Sequence, residues 1–215
     1  MESQSDNLPC VSLSGAVLHS WQALVPIKQG SNGKSRLSGL LDEAERVALV
    51  KRMSAHVLGV LEDCDFIESI TVLSPQRPEQ WRGEWREDQG RGLNAELTAW
   101  RSELGPVSSL IIHADLPLLK ISDVQEMVAL ADKHGSALAT DRAEQGTNAL
   151  ALAQGYGDEF EFCFGPFSRK LHTAQIEAMP VLHLLGLKVD IDFPDDLTFA
   201  EAQGFRLDPA CQWEG

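Results

Sequence analysis

Leu110-Ile111-Ile112-His113-Ala114-Asp115-Leu116-Pro117 is an apolar run that meets a carboxylate and is then stopped by proline. Proline cannot donate to a sheet ladder, so the run predicts a buried strand over 107–113 with Asp115 just beyond its end. The helical pattern that follows, Ile121 to His134, closes at Gly135, a residue suited to a left-handed helix end. A continuous apolar strand followed by a helix is the unit of a parallel sheet. In open α/β sheets ligands bind beyond the carboxyl ends of the strands, which is where Asp115 falls.

The same alternation extends outward in both directions. Trp21 to Ile27 reads as a buried strand followed by a polar loop to Arg36. From Ser38 to about Leu61 apolar residues recur at helical spacing, and Ile67 to Leu73 is a second strand. Gln76 to Gly92, carrying Trp81 and Trp85, reads as a long loop or short helical insertion. Beyond a helix at Leu93 to Leu104, short strands are expected at Ala137–Thr140, Ala149–Ala153 and Phe160–Phe164. Ser168 to Met179 predicts a helix, Val181–Leu185 and Leu187–Phe193 strand material, and Asp196 to Gln203 a last helix. This order predicts a single-domain, Rossmann-like three-layer α/β sandwich whose mixed sheet is mostly parallel, with a small antiparallel edge. Residues 1–20 are expected as a partly ordered N-terminal extension and 21–215 as the folded domain.

Composition narrows the partners. A chain of 215 residues, 43% hydrophobic, can bury one substantial core. Its net charge of −14 argues against nucleic acid, because binding a phosphate backbone needs a basic face. Cys10, Cys64, Cys163 and Cys211 show no CxxC spacing, so neither a disulfide framework nor a zinc site is expected. The polar start Met1-Glu2-Ser3-Gln4 is no signal peptide, and no apolar run reaches membrane-spanning length. The expectation is a cytoplasmic protein with no membrane partner.

A second acidic run points to the same sheet edge. In Val189-Asp190-Ile191-Asp192-Phe193-Pro194, one apolar residue separates two carboxylates. On a strand Asp190 and Asp192 project together while Val189, Ile191 and Phe193 pack. Asp115, Asp190 and Asp192 are hard oxygen donors suited to Mg²⁺, which is held by one or two carboxylates plus substrate phosphates. The competing reading of each stretch alone is a solvated strand face and a helix-capping Asp115.

Cations gather in Lys28-Gln29-Gly30-Ser31-Asn32-Gly33-Lys34-Ser35-Arg36. Lys28, Lys34 and Arg36 supply charge and the glycines permit close backbone approach, which suits a phosphate, although the P-loop spacing is absent. Phe164-Gly165-Pro166-Phe167-Ser168-Arg169-Lys170-Leu171-His172 is a second candidate anion site. There Gly165 permits an unusual backbone angle, Ser168 is placed to cap a helix, and Arg169 and Lys170 oppose the helix dipole unless an anion intervenes. Thr147 and Asn148 stand immediately before a strand, for substrate oxygens or for a tight turn. In Gln89-Gly90-Arg91-Gly92-Leu93-Asn94 the glycines let a helix start close over a nucleotide, with Asn94 reading base or ribose, or simply form a turn. His113 and His172 lie near these segments and read as structural residues.

Several of these stretches, taken in order, resemble the CofC/FbiD family of guanylyltransferases over about residues 21–203. They are Val25-Pro26-Ile27-Lys28 with Lys34-Ser35-Arg36-Leu37, Gly92-Leu93-Asn94, Ala114-Asp115-Leu116-Pro117 and Gly146-Thr147-Asn148. Phe164-Gly165-Pro166-x-Ser168-x₃-His172 and Asp190-x-Asp192-x-Pro194-x-Asp196-Leu197 complete the set. The resemblance implies a GT-A-type nucleotidyltransferase that moves GMP from GTP to a small phosphorylated carboxylic acid and releases pyrophosphate. It implies 2-phospho-L-lactate, phosphoenolpyruvate or 3-phospho-D-glycerate as acceptor, and a product that feeds the deazaflavin coenzyme, factor 420. It also implies Mg²⁺ on Asp115, Asp190 and Asp192, and acceptor contacts from Thr147, Gly165 and Ser168; Asn148 stays a substrate-binding candidate on its position before the strand alone. Gly92 and Asn94 then face the nucleotide, and Lys28, Lys34 and Arg36 the leaving pyrophosphate. The His113-Ala114 pair and the N-terminal extension depart from the family pattern and leave the acceptor open, as a homodimer is left open. Rival readings are a GT-A transferase using CTP, UTP or a sugar nucleotide, and a non-catalytic nucleotide-binding module. The module predicts lost metal ligands, and all three acids are present.

Overall fold

The strands in chain order are β1 (Trp21–Pro26), β2 (Ile67–Ser74), β3 (Glu84–Glu87), β4 (Ser108–Ile112), β5 (Ser136–Thr140), β6 (Thr147–Leu152) and β7 (Val181–Leu182). The helices are α1 (Glu43–Glu62), α2 (Leu93–Leu104), α3 (Ile121–His134), α4 (Ser168–Thr173), α5 (Leu185–Lys188) and α6 (Pro194–Ala202), with a 3-10 turn at Ser35–Leu37. This computed structural model describes residues 20–28, 34–156 and 159–206. The expected N-terminal extension up to residue 19, and the Gly30 and Gly33 of the basic loop, lie outside them.

Strand alternation sorts the core into two layers. Ala23, Val25, Leu110, Ile112, Ala149 and Ala151 point to the face covered by α1 and α3. Leu24, Ile111, Leu138, Leu150 and Leu152 point to the other, against Leu97 and Trp100 of α2. This is the three-layer sandwich expected. The seven strands lie in the order β3-β2-β1-β4-β6-β5-β7. All neighbouring pairs are parallel except the two made by β6, which runs against both β4 and β5. No helix among the described residues is long and apolar enough to cross a membrane.

Local chemistry sets the element ends. Asp42 accepts from the Glu45 N–H at 2.9 Å while Glu45 accepts from the Asp42 N–H at 2.8 Å, so α1 opens with a reciprocal cap at Glu43 rather than near Ser38. Pro194 fits the first turn of α6, where its missing N–H costs nothing. The Asp196 carboxylate accepts the N–H groups of Asp192 and Phe193 in front of it. Gln76 to Gly92, expected as a loop or helix, instead contributes the edge strand β3, parallel to β2.

Three further expectations change. Phe160–Phe164 is no strand: its N–H groups bond to side chains, Glu161 to Gln175, Cys163 to His172 and Phe164 to Asn94, at 2.7–2.8 Å. A segment satisfied in that way has no need of a ladder. The helix after Phe167 ends at Thr173 rather than Met179. Leu187–Phe193 is not a strand either, because α5 takes its first residues and the rest is an extended stretch. Within that stretch Val189 and Ile191 are buried while Asp190 and Asp192 are partly exposed, so the alternation expected of a strand survives without one. Phe193 does not pack inward and is 52% exposed.

Candidate active site

The sheet changes winding direction between β1 and β4: β2 follows β1 on one side, and β4 lies on the other. The crevice beyond the carboxyl ends at such a point is where ligands of α/β folds bind. Lys28 leaves β1 there and Asp115 follows β4 there. A separate apolar cluster brings the remaining pieces. Leu37 of the 3-10 turn packs with Val189 and Ile191, with Leu49 and Met53 of α1 and with Leu197 of α6. Because Leu37 and Ile191 share that cluster, Lys34 and Asp192 are drawn into contact.

Oxygens of Asp115, Asp190 and Asp192 all lie within 4.8 Å of one another. The Lys34 ammonium bonds Asp115 and, at 2.8 Å, Asp192. Arg36 reaches Asp192 at 3.1 Å from a more exposed position and lies over the Phe193 ring. Lys34 holds this place with a left-handed backbone, φ 54°, uncommon for a side-chain-bearing residue and typical of functional sites. Burial works against the Lys34 charge, but Asp115 and Asp192 together hold it above the ordinary lysine range. Burial likewise raises Asp115, and Lys34 more than reverses this, leaving that carboxyl below the ordinary range. Among the described residues no such cation pairs with Asp190. Burial, with Asp115 and Asp192 adding like charge, pushes it up to about 7.

These features test the fit of a metal. Asp115 Oδ1 is buried and without a hydrogen-bond partner among the described residues. An orphaned carboxylate oxygen, beside a carboxyl driven toward protonation by its neighbours, marks a set of hard donors short of positive charge. The set fits Mg²⁺.

A family model described as "Guanylyl transferase CofC like" matches residues 21–201, nearly the whole described chain. The chain belongs to the CofC-like guanylyl transferase family. It is accordingly a nucleotidyltransferase. The phosphoenolpyruvate guanylyltransferase of Sphaerobacter thermophilus is 36% identical over 186 residues, covering 81% of this chain and 89% of that protein. The protein of the same name from Nocardia farcinica is 31% identical over 199 residues, covering 86% and 87%. Among solved structures, a nucleotidyl transferase from Methanothermobacter thermautotroptrophicus superposes with TM-score 0.59 at 11% identity, over 86% of this chain and 97% of that one. The 2-C-methyl-D-erythritol 4-phosphate cytidylyltransferase from Thermus thermophilus gives 0.53 at 13%, over 86% and 98%. Those two establish the shared fold.

Within the CofC-like frame, the structure sorts the remaining candidates. Asn148, a substrate-binding candidate by sequence, is turned elsewhere. Its amide donates to the carbonyl of Leu187 at 3.0 Å and to Asp190 at 3.3 Å, so it holds the acidic segment in place. Asn94, expected to read base or ribose, commits both ends of its amide to the Phe164 backbone, at 2.7 and 3.1 Å. It joins the start of α2 to the Phe160–Phe164 segment. Gly92 precedes α2 with φ 92°, a conformation that favours glycine. Ser168 is the first residue of α4 rather than its cap, and is buried. Gly165 has φ 132°, and a Cβ there would meet nothing within 4 Å, so the space in front of it is open. Arg169, whose charge at a helix start suggested a missing anion, is neutralised by Glu144 at 3.2 Å.

Two partnerships were missed by sequence reasoning. Glu96 is fully buried, accepts the N–H of Gln89, and holds the Arg91 guanidinium, which shapes the Gly90–Gly92 turn. A buried glutamate four residues after a glycine turn was the available signal. The other is a bond between Thr147 and His172 at 3.0 Å. Nothing in the spacing, 25 residues apart, announces it.

Proposed function

We propose that this enzyme transfers GMP from GTP to a small phosphorylated carboxylic acid and releases pyrophosphate. The observation that carries the reading is the aspartate trio, short of positive charge and flanked by Lys34 and Arg36, in a chain of the CofC-like family. Phosphoenolpyruvate is the first acceptor to test, given the names of the relatives, with 3-phospho-D-glycerate and 2-phospho-L-lactate as the others. On this reading the product belongs to deazaflavin coenzyme (factor 420) biosynthesis, and the enzyme works in the cytoplasm as the folded domain from residue 21 onward.

Asp115, Asp190 and Asp192 would hold Mg²⁺, which when bound neutralises phosphate charge and orients the reacting oxygens. The chain's own residues do the rest. An acceptor phosphate oxygen is already a nucleophile at neutral pH, so no general base is required. Its bond to the α-phosphorus forms as the bond to the pyrophosphate oxygen breaks, and catalysis is in-line positioning plus charge stabilisation. Lys28, Lys34 and Arg36 face the leaving pyrophosphate, the Gly92 turn approaches the nucleoside, and Thr147, Gly165 and Ser168 receive the acceptor. Asn148 holds Asp190 in register with the other two carboxylates.

The deciding experiment is pyrophosphate release with Mg²⁺, each of the three acceptors and each of GTP, CTP and UTP, on the native protein and on Asp192→Asn. GTP with one acceptor should dominate. Loss of one electrostatic stabiliser should lower turnover at least about a hundredfold. Full activity of Asp192→Asn, or in excess chelator, would sink the mechanism, and preference for CTP would move the enzyme to a different nucleotide class.

A further inference from the structure

His172 is fully buried, yet both ring nitrogens are engaged. The backbone N–H of Cys163 points at Nε2 from 2.8 Å. An N–H can only donate, so Nε2 carries no proton. Burial first, with the His113 charge adding, lowers the ring to about 4, so it is neutral and its one proton sits on Nδ1. Nδ1 lies 3.0 Å from the Thr147 hydroxyl oxygen, which therefore accepts. The ring cannot swing to another arrangement without disturbing Phe164, edge-on at 4.8 Å, and Phe160 at 5.5 Å.

The consequence falls on Thr147. Its oxygen has taken a hydrogen from His172 and still has its own to give, and among the described residues no acceptor takes it. Thr147 opens β6, the reversed strand, whose start is held beside the end of β4 by the His113 N–H on the Asn148 carbonyl at 2.9 Å. The neighbouring Asn148 side chain touches Asp190. The unused hydrogen therefore belongs to the residue next to the one that holds Asp190, and on the functional reading above it faces the acceptor.

We propose that His172 is a positioning residue that fixes Thr147 as a hydrogen donor, so that this corner of the acceptor pocket selects an anionic oxygen, a carboxylate or phosphate. The proposal rests on the functional reading above. Hydrogen bonds from a neutral donor to a charged acceptor are the stronger kind. A hydroxyl free to rotate could serve a donor or an acceptor alike, and one with a lone pair already engaged by an imidazole N–H is biased toward giving its hydrogen.

Two measurements test it. The first is the tautomer of His172 in the native protein, read from ¹⁵N shifts in a long-range ¹H–¹⁵N spectrum. A protonated Nδ1 and bare Nε2, persisting below pH 6, are expected, and the opposite tautomer overturns the proposal whatever the activity shows. The second is a double-mutant cycle on the KM for phosphoenolpyruvate, with GTP and Mg²⁺ saturating. Thr147→Val and His172→Phe should each raise that KM roughly tenfold, the scale of one hydrogen bond to a charged group, leaving the KM for GTP within about twofold. The double variant should be no worse than Thr147→Val alone, since His172 acts through the hydroxyl. His172→Asn, which can still present an N–H to Thr147, should restore much of the loss. Additive effects, equal losses for GTP, or no rescue by asparagine would each overturn it, and if His172→Phe does not fold, the asparagine variant and the tautomer decide. Failure of the native protein to use any of the three acceptors would overturn the functional reading and this proposal with it, while leaving the tautomer as measured.

Discussion

Lys34 stands where three carboxylates need a cation, so it and a metal should compete for the same oxygens. Lys34→Ala tests this most directly. In chelator the variant loses charge-assisted bonds to Asp115 and Asp192. The Asp192 side chain is 40% exposed, so solvent screening discounts that half, whereas Asp115 at 23% loses more. One well-shielded charge-assisted bond is worth about 1.5–3 kcal/mol, with little added by the screened one. At roughly 2–4 °C per kcal/mol for a domain this size, the melting temperature in chelator at pH 8 should fall by about 3–12 °C. Mg²⁺ then reverses the order of effects. In the native protein it must displace an ammonium from two carboxylates, and in the variant it need not. The variant should bind Mg²⁺ or Mn²⁺ more tightly, on the order of tenfold or about 1.4 kcal/mol, and its melting temperature should approach the native one at saturating metal. Thermal melts with and without metal, plus calorimetric titration, read both. Turnover falls in the variant on any reading, which is why stability and metal affinity carry the test. An equal loss of melting temperature with and without metal, or weaker metal binding, would refute the competition.

Two further outcomes follow from the same charges. Asp190 titrates at about 7 in the fold against about 3.9 in an unfolded chain, so between those values the folded state holds a proton that the unfolded state has released. On this group's account stability in chelator falls as pH rises from about 4 to about 7; Asp190→Asn should flatten that slope and melt several degrees higher at pH 8, and coincident melting-temperature profiles would contradict it. Arg36→Ala and Lys28→Ala should weaken GTP and pyrophosphate roughly tenfold while leaving GMP nearly unchanged, since only the first two carry the phosphates assigned to these cations; equal losses in binding isotherms would place the cations elsewhere.

The sheet was legible because its signals are local. Apolar runs bounded by proline or glycine gave β1, β2 and β4, and the period of Val124, Met127, Val128 and Ala131 gave α3 to its last residue. The trio was legible for a different reason: three acids at strand ends or in alternation need no knowledge of distant partners. What escaped depends on contacts remote in sequence. Phe160–Phe164 alternates like a strand, and only the side chains of Asn94, His172 and Gln175 decide that it is not one. Asn148 looked like a substrate ligand because its sequence neighbours are small and polar. Its real partner, the segment at 187–190, arrives through tertiary packing. Lys34 was read as a phosphate ligand, and its place among the carboxylates follows from Leu37 packing against Ile191, which no local pattern encodes.

The reversed strand β6 divides labour between adjacent residues. Side chains of Thr147 and Asn148 leave the backbone in opposite directions, one toward His172 on α4 and the other toward the end of α5 and Asp190. Acceptor preference and metal geometry are thereby made separately mutable, although they sit one peptide apart. On the proposed reading, a lineage can drift from one phosphorylated acid to another by exchanging residues around Thr147, while Asn148 and the acidic segment stay under an unrelated constraint. A change in the length of the turn between β5 and β6 is harmless only when it preserves register, because a slip of one residue would exchange the two duties at once.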